Sequence, residues 1–455
     1  MQTIYLNPLN DIVDLDHHVA LSENQEYEDL FLLYASDIKA DFKIMNVAYI
    51  HRASEIYNCY STMRLFIKLV GITNVDKQNR KNLAATFLSA EHGHVENLKC
   101  LLDSGANVDF EVHCNTSISC LNGTYIIKQF KEVCMCEYTL LDIAVQNEHY
   151  EVVKMLLMKH PLLLNHVNGI GLNLLHIAVE KGNILAMQEI LKVNRSLADT
   201  HSLYIAASNG FVRAVEILLS IGVKDMCLKC NGTFYWKDNI TENEIDETHT
   251  CDNLSGNKTN FKNMLVWPVD WRLVTCNTAL HAAVQNGHVS IVHILLDHNI
   301  NSCCRDYAGM TAIFLAIKNN QTDIFKILYE RKANVSERCR VPPRLQRTNS
   351  RFFSSSMAEY DTHNCGENSS IVHLLAIHNN VEITTFLLSK GFNEWMTDDS
   401  IMASGIHYGF CHGSHKFVSL IERQVNFNTA LLQKTIHGYT PYHVAVQCGN
   451  SLRRV

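Results

Sequence analysis

Residues 278–299 read TALHAAVQNGHVSIVHILLDHN. Two helices are legible in this one stretch. Thr278 is placed to cap the first, its side-chain oxygen accepting a backbone N–H that the helix leaves free. Ala282 and Ala283 are small enough to let a neighbouring helix come close. Gly287 suits the left-handed conformation that ends a helix. Val289, Ile291, Val292, Leu295 and Leu296 then form the apolar stripe of a second helix, and Asn299 releases the chain into a turn.

The stretch recurs along the chain. Related segments begin at Ala84 (AATFLSAEHGH), Thr139 (TLLDIAVQNEH), Asn173 (NLLHIAVEKGN) and His201 (HSLYIAASNGF). Others begin at Thr311 (TAIFLAIKNNQ), Ser370 (SIVHLLAIHNN), Ser404 (SGIHYGFCHGS) and Thr440 (TPYHVAVQCGN). The starts at 139 and 173, at 278 and 311, and at 370, 404 and 440 set a repeat of 33–36 residues. Three longer steps mark insertions at 110–137, 225–276 and 336–368. Each follows the second helix of a unit, so each falls on a turn rather than inside a helix. A looser copy, MRLFIKLVGITNVDKQN at 63–79, precedes the first unit. A repeated pair of helices that cannot bury its own apolar face must stack on its neighbours.

This pattern resembles the ankyrin repeat, whose consensus places T-P-L-H-x-A-A, G-H, V-V, L-L and G-A at matching offsets. Departures are visible: Pro fills the second slot only at Pro441, Asp142 replaces the histidine, and Asn320 and Asn379 replace the capping glycine. The resemblance implies an all-α ankyrin-repeat solenoid of stacked helix-turn-helix units with β-turn fingers, interrupted by three loop insertions. The division expected is a helical N-terminal segment, divergent repeat or cap over 1–79; one repeat over 80–109; and the first insertion over 110–137. Three repeats follow over 138–224, then the insertion at 225–276 and two repeats over 277–335. After the insertion at 336–368 come two degenerate repeats over 369–436 and a truncated one over 437–455. Residues 440–449 would be the first helix of that last unit and SLRRV the stub of its second. The expectation is therefore of a fragment, an alternative product, or the first part of something longer.

Composition narrows the function. The net charge of −7 offers no general attraction for phosphate backbones, which disfavours nucleic acid as a partner. No apolar run reaches the roughly 18 residues of a transmembrane helix, and the N-terminus MQTIYLNPLNDIVDLDHH lacks the basic and apolar regions of a secretory signal. Sixteen cysteines without an export signal are expected to be mostly reduced thiols, and N-x-S/T sequons such as Asn115, Asn122 and Asn231 follow from an Asn-rich composition. An intracellular, cytoplasmic protein is the expectation.

The insertion at 225–276 is distinctive. Tyr235, Trp236, Trp267 and Trp271 do not suit a solvated linker; they either pack on the array or form a protein-binding site. Cys227 and Cys230, with His249 and Cys251, could close a small zinc site, although the second half lacks the usual spacing and unliganded thiols are the default. The insertion at 336–368 is basic, with Arg338, Arg340, Arg344, Arg347 and Arg351 among Pro, Ser and Thr. There Arg347 stands three residues before Ser350, a candidate phosphorylation site, against the alternative of a solvated loop.

Catalytic motifs are absent from the sequence: no phosphate-binding loop, dinucleotide fingerprint, nucleophile elbow or H-E-x-x-H occurs. His176, His281, His373, His407 and His443 fall in the consensus histidine slot, and His94, His149 and His288 at the G-H position, both scaffold roles. The expectation is a non-enzyme without cofactor or metal, a scaffold or adaptor binding protein partners through the concave face and fingers. The alternative is the cytosolic regulatory arm of a larger protein, such as a cation channel or a multidomain signalling protein.

Overall fold

A capping residue, a short small-residue helix, a left-handed turn and an amphipathic helix recur through the chain. The computed structural model describes residues 75–109, 112–113, 137–225, 278–339 and 368–449 apart from a few positions, together with scattered positions between 50 and 68. Those residues divide into two compact units, one ending at Ala198 and the other beginning at Asp199.

In the first unit, α1 (Ala85–Glu91) and α2 (Val95–Asp103) form one helix pair, α3 (Leu140–Gln146) and α4 (Tyr150–Lys159) the next. The third is α5 (Leu174–Glu180) with α6 (Ile184–Val193). A two-residue antiparallel ladder, β1 (Val112–His113) and β2 (Glu137–Tyr138), lies between the first two pairs. The first helices of successive pairs pack on one another, and so do the second helices. The stack continues upstream: Ile50, Ala53, Met63, Ile67 and Val75 are buried in one cluster with Ala85, Cys100 and Leu101.

The second unit runs through α7 (Thr200–Asn209), α8 (Val212–Ser220), α9 (Ala279–Gln285), α10 (Val289–Asp297), α11 (Ala312–Lys318) and α12 (Thr322–Glu330). It continues with α13 (Ile371–Ile377), α14 (Val381–Ser389), α15 (Gly405–Cys411) and α16 (His415–Ile421). A short extra helix, α17 (Phe427–Leu432), precedes α18 (Pro441–Gln447).

The first helix of a pair is an inner one, buried nearly all round. In α9 every residue from Ala279 to Val284 is buried, which is why this slot takes Ala, Leu and Val and leaves polar groups to its ends. The second helix is amphipathic and buries one stripe, Ile291, Val292, Leu295 and Leu296 in α10. Between them the chain needs a positive φ. Gly287 supplies it at 74°, and Asn320 and Asn379 take the same conformation at 55° and 47°, as asparagine can.

One unit begins earlier than the repeat spacing implies. The histidine slot would place its cap at His201, but α7 starts at Thr200 and its N-cap is Asp199, whose side chain accepts from Ser202 N–H. A short 3₁₀ turn, Arg195–Leu197, precedes it in sequence.

Candidate functional site: the finger bases

Between pairs the chain turns back through a short finger. Five fingers close in the same way, with a side chain five residues ahead of the next cap. Asn79, Asn168, Asp306, Asp399 and Thr435 each donate the backbone N–H to the carbonyl four residues on, at Leu83, Leu172, Met310, Ala403 and Tyr439. The side-chain oxygen of each accepts the N–H of that same residue, at 2.7–3.3 Å. This is the short-range side-chain turn chemistry of Asn, Asp and Thr. The signal was present in the sequence at constant spacing from the caps.

At three fingers the described residues on either side of a longer stretch of sequence are tied together. At the first, His113 pairs with Glu137 and Val112 with the buried Tyr138. At the second, the Asp225 carboxylate accepts from Ala279 N–H at 2.6 Å and Leu280 N–H at 3.1 Å, the first two residues of α9. At the third, Cys339 N–H donates to Ser369 C=O at 2.8 Å and Asn368 N–H to Cys339 C=O at 2.9 Å.

Two arginines bind successive fingers of the second unit together. Arg305 Nη1 donates to Arg338 C=O at 2.6 Å and to Gly309 C=O at 3.0 Å, and its Nη2 pairs with Glu337 Oε1 at 2.6 Å. Arg338 Nη1 in turn donates to Asn368 C=O at 3.0 Å and to Asp398 C=O. Arg338 therefore differs from the reading of it as part of a solvated basic loop. With buried Cys339 beside it, it belongs to the finger that the insertion leaves.

The histidines act as hydrogen-bond joints. In α5, α9, α13, α15 and α18 the ring Nδ1 of His176, His281, His373, His407 or His443 accepts from the backbone N–H of the cap three residues earlier. At His373 the other nitrogen donates to Ala403 C=O of the next unit at 2.9 Å. Burial holds the pKa values of His373 and His407 below the ordinary imidazole value of 6.5. Asp142 does the same work from the same slot: its Oδ2 accepts from Thr139 N–H at 2.9 Å and lies 3.2 Å from the His166 ring. At the G-H position, His149 Nε2 meets Glu91 C=O at 2.8 Å and His288 Nε2 meets Ser208 C=O at 3.1 Å. Each ring fills the space that a side chain on Gly93 or Gly210 would occupy.

Of the candidate site residues, Tyr235, Trp236, Trp267, Trp271 and Ser350 lie outside the described residues, as do Cys227, Cys230, His249 and Cys251. Among the described residues no group of three or more His, Cys, Asp or Glu could hold a metal. No helix of those residues is long and apolar enough to cross a membrane. Burial pushes the Cys100 thiol up to about 11, which keeps it protonated at neutral pH. Cys411 and Cys448 are joined as a disulfide, a pairing not anticipated for a chain expected to hold mostly thiols.

The family model of ankyrin repeats matches residues 50–168, 141–230 and 250–339, more than half of the chain. The chain belongs to the ankyrin-repeat family. Its fold is the all-α ankyrin solenoid, whose repeats are in general protein–protein interaction modules. Among solved structures it is similar to the ankyrin repeat domain of Bcl-3, a unique member of the IkappaB protein family, at 17% identity and a TM-score of 0.39, covering 60% of this chain and 92% of that one. It is also similar to the human ASB11 ankyrin repeat domain, at 19% identity and a TM-score of 0.40, covering 62% of this chain and 97% of that one. No curated protein matches the chain.

Proposed function

We propose that this ankyrin-repeat protein is a non-catalytic scaffold of the cytoplasm. In this reading it binds a protein partner through its fingers and concave face, and the insertions determine which partner. The observation that supports this reading is the tying of the insertion ends. His113 with Glu137, Asp225 with Ala279, and Cys339 with Asn368 each bring the chain back to its point of departure. Added sequence is then carried on a finger while the helix stack beneath it is undisturbed. The aromatic side chains of the second insertion, Tyr235, Trp236, Trp267 and Trp271, are the first candidates for anchors, because such residues dominate interface energetics. Ser350 in the third insertion is the candidate for regulation by phosphate, which would offset the arginines around it.

The test places a photoreactive amino acid at exposed Asn301 on a finger and, separately, at exposed Glu330 on an outer helix. In cells, a covalent adduct with one discrete protein is expected from Asn301 and not from Glu330. Trp267→Ala with Trp271→Ala should abolish it. Adducts from Glu330 alone, or adducts from Asn301 indifferent to both tryptophans, would overturn the reading.

A further inference from the structure

The last described helix is held in an unusual way. α18 buries only Pro441, Val444 and Ala445, whereas α11, at the same place in its own unit, buries six residues from Ala312 to Ile317. Tyr442 is 51% exposed and Val446 is 78% exposed. Among the described residues α18 packs mainly on α15 and also on α17. Since the apolar area removed from water sets most of the packing energy, Tyr442 and Val446 add little to what holds this helix in place.

Its two ends are secured by different means. At the N-terminal end the preceding finger is bonded to the finger before it. Ile436 N–H donates to Ile401 C=O at 3.0 Å, Gln433 Nε2 donates to Asp398 Oδ1 at 2.6 Å, and Thr435 closes its own turn. At the C-terminal end the tie is covalent. Cys448, the residue after the helix, is bonded to Cys411, the last residue of α15, with the two Cα atoms 5.3 Å apart. That separation is within the ordinary range for a disulfide. The bond closes a sequence separation of 37 residues, so it removes much of the freedom α18 would otherwise regain.

We infer that the Cys411–Cys448 disulfide is a redox-controlled clamp that decides whether α18 is docked on α15. Cys411 is buried and Cys448 partly exposed, which makes Cys448 the side from which a low-molecular-weight thiol would attack. Its thiolate attacks there, the S–S bond breaks, and Cys411 leaves as the thiolate. A second thiol then releases Cys448 from the mixed disulfide. Overall two thiols are oxidised to one disulfide while Cys411 and Cys448 become thiols, and a small-molecule disulfide drives the reverse exchange. In the reduced protein α18 keeps its anchored finger and loses its covalent tie to α15. Its release uncovers Phe410, against which the Tyr442 ring now sits edge-on at 5.3 Å. The clamp does not depend on the binding role proposed above, because both of its states are defined by the chain alone.

The full chain, equilibrated with glutathione disulfide or with a phosphine reductant, decides the matter by peptide mass mapping and hydrogen exchange. A linked peptide joining Cys411 to Cys448 is expected after oxidation. Exchange over 441–449 should rise by about tenfold or more on reduction, while 371–389 in the unit two steps back stays protected. Cys448→Ser should show the fast rate over 441–449 in the oxidising buffer, despite the other cysteines. If that variant loses protection over 371–389 as well, the oxidised and reduced wild-type chains carry the comparison. Absence of the linked peptide after oxidation, or slow exchange over 441–449 in the reduced wild type, would overturn the clamp.

Discussion

Asp225 accepts a hydrogen bond from the backbone N–H of Ala279 at 2.6 Å across a sequence separation of 54 residues. Its second oxygen takes Leu280 N–H, while Thr278 and His281 satisfy each other's backbone N–H groups. Between them the three side chains serve the backbone donors that open α9. A carboxylate at this end also opposes the positive end of the helix dipole.

Asp225→Ala should therefore cost about 1–2 kcal/mol of stability, the sum of a lost cap and a lost charge–dipole contact. Asp225→Asn keeps an acceptor and should recover about half of that. Urea unfolding of the two variants checks the order; an Asn variant no better than Ala would mean that the charge carries the whole effect.

The β1–β2 ladder makes a different expectation for the first insertion. With His113 opposite Glu137, residues 114–136 can be replaced by Asn-Gly, the pair that suits a two-residue hairpin turn. The apparent melting temperature should not fall, since a shorter connection between the paired ends costs less entropy to close, by about 0.6 kcal/mol per halving of its length. Loss of cooperative unfolding would show that those residues pack on the stack.

How much of this was legible in the sequence depends on the range of each interaction. The helix pairs were legible because their signals are local: Thr278 and His281 lie three residues apart, and Gly287 ends the helix they open. Asn320 and Asn379 could be read as glycine substitutes because asparagine tolerates the same backbone conformation. The cap at Asp199 was misplaced by two residues, because an Asp–Ser box there overrides the repeat spacing. The bonds of Asp225 and Arg338 and the Cys411–Cys448 pairing join residues 30 or more apart. No local pattern distinguishes those two cysteines from the others. The finger turns are the instructive omission. Asn79, Asn168, Asp306, Asp399 and Thr435 stand at one fixed distance from their caps and need only that register to be found.

The unit beginning at Ser404 carries glycine where its neighbours carry larger residues, and the packing explains it. A Cβ on Gly405 would stand 2.6 Å from Val372 Cγ1 and 3.3 Å from Val372 C=O, so α13 and α15 approach too closely for a side chain. Gly405→Ala should cost about 1–3 kcal/mol by overpacking, although alanine favours helix. Val372→Ala removes the clashing methyl, so the double variant should be more stable than the two single effects summed predict. Additive effects would rule out this contact as the reason for glycine.

His373 and His407 make stability depend on pH, and the sign follows from their burial. His373 is fully buried, with Nδ1 accepting from Ser370 N–H at 2.9 Å and Nε2 donating to Ala403 C=O at 2.9 Å. A proton on Nδ1 would face that N–H, so the ring must stay neutral to keep both bonds. Burial lowers the pKa of both histidines from 6.5 in the folded protein, while the unfolded chain keeps the ordinary value. Between the two values the unfolded chain binds more protons. Their contribution to stability is thus fully present above pH 6.5 and is lost as pH falls below it. The slope should reach at most about 1.4 kcal/mol per pH unit for each histidine. His373→Gln retains an acceptor for Ser370 N–H and cannot titrate, so it should remove about half of the slope contributed by the pair. Urea unfolding midpoints followed from neutral pH into the acid range, for the wild type and the variant, measure that difference directly. Equal slopes would show that His373 carries no proton linkage.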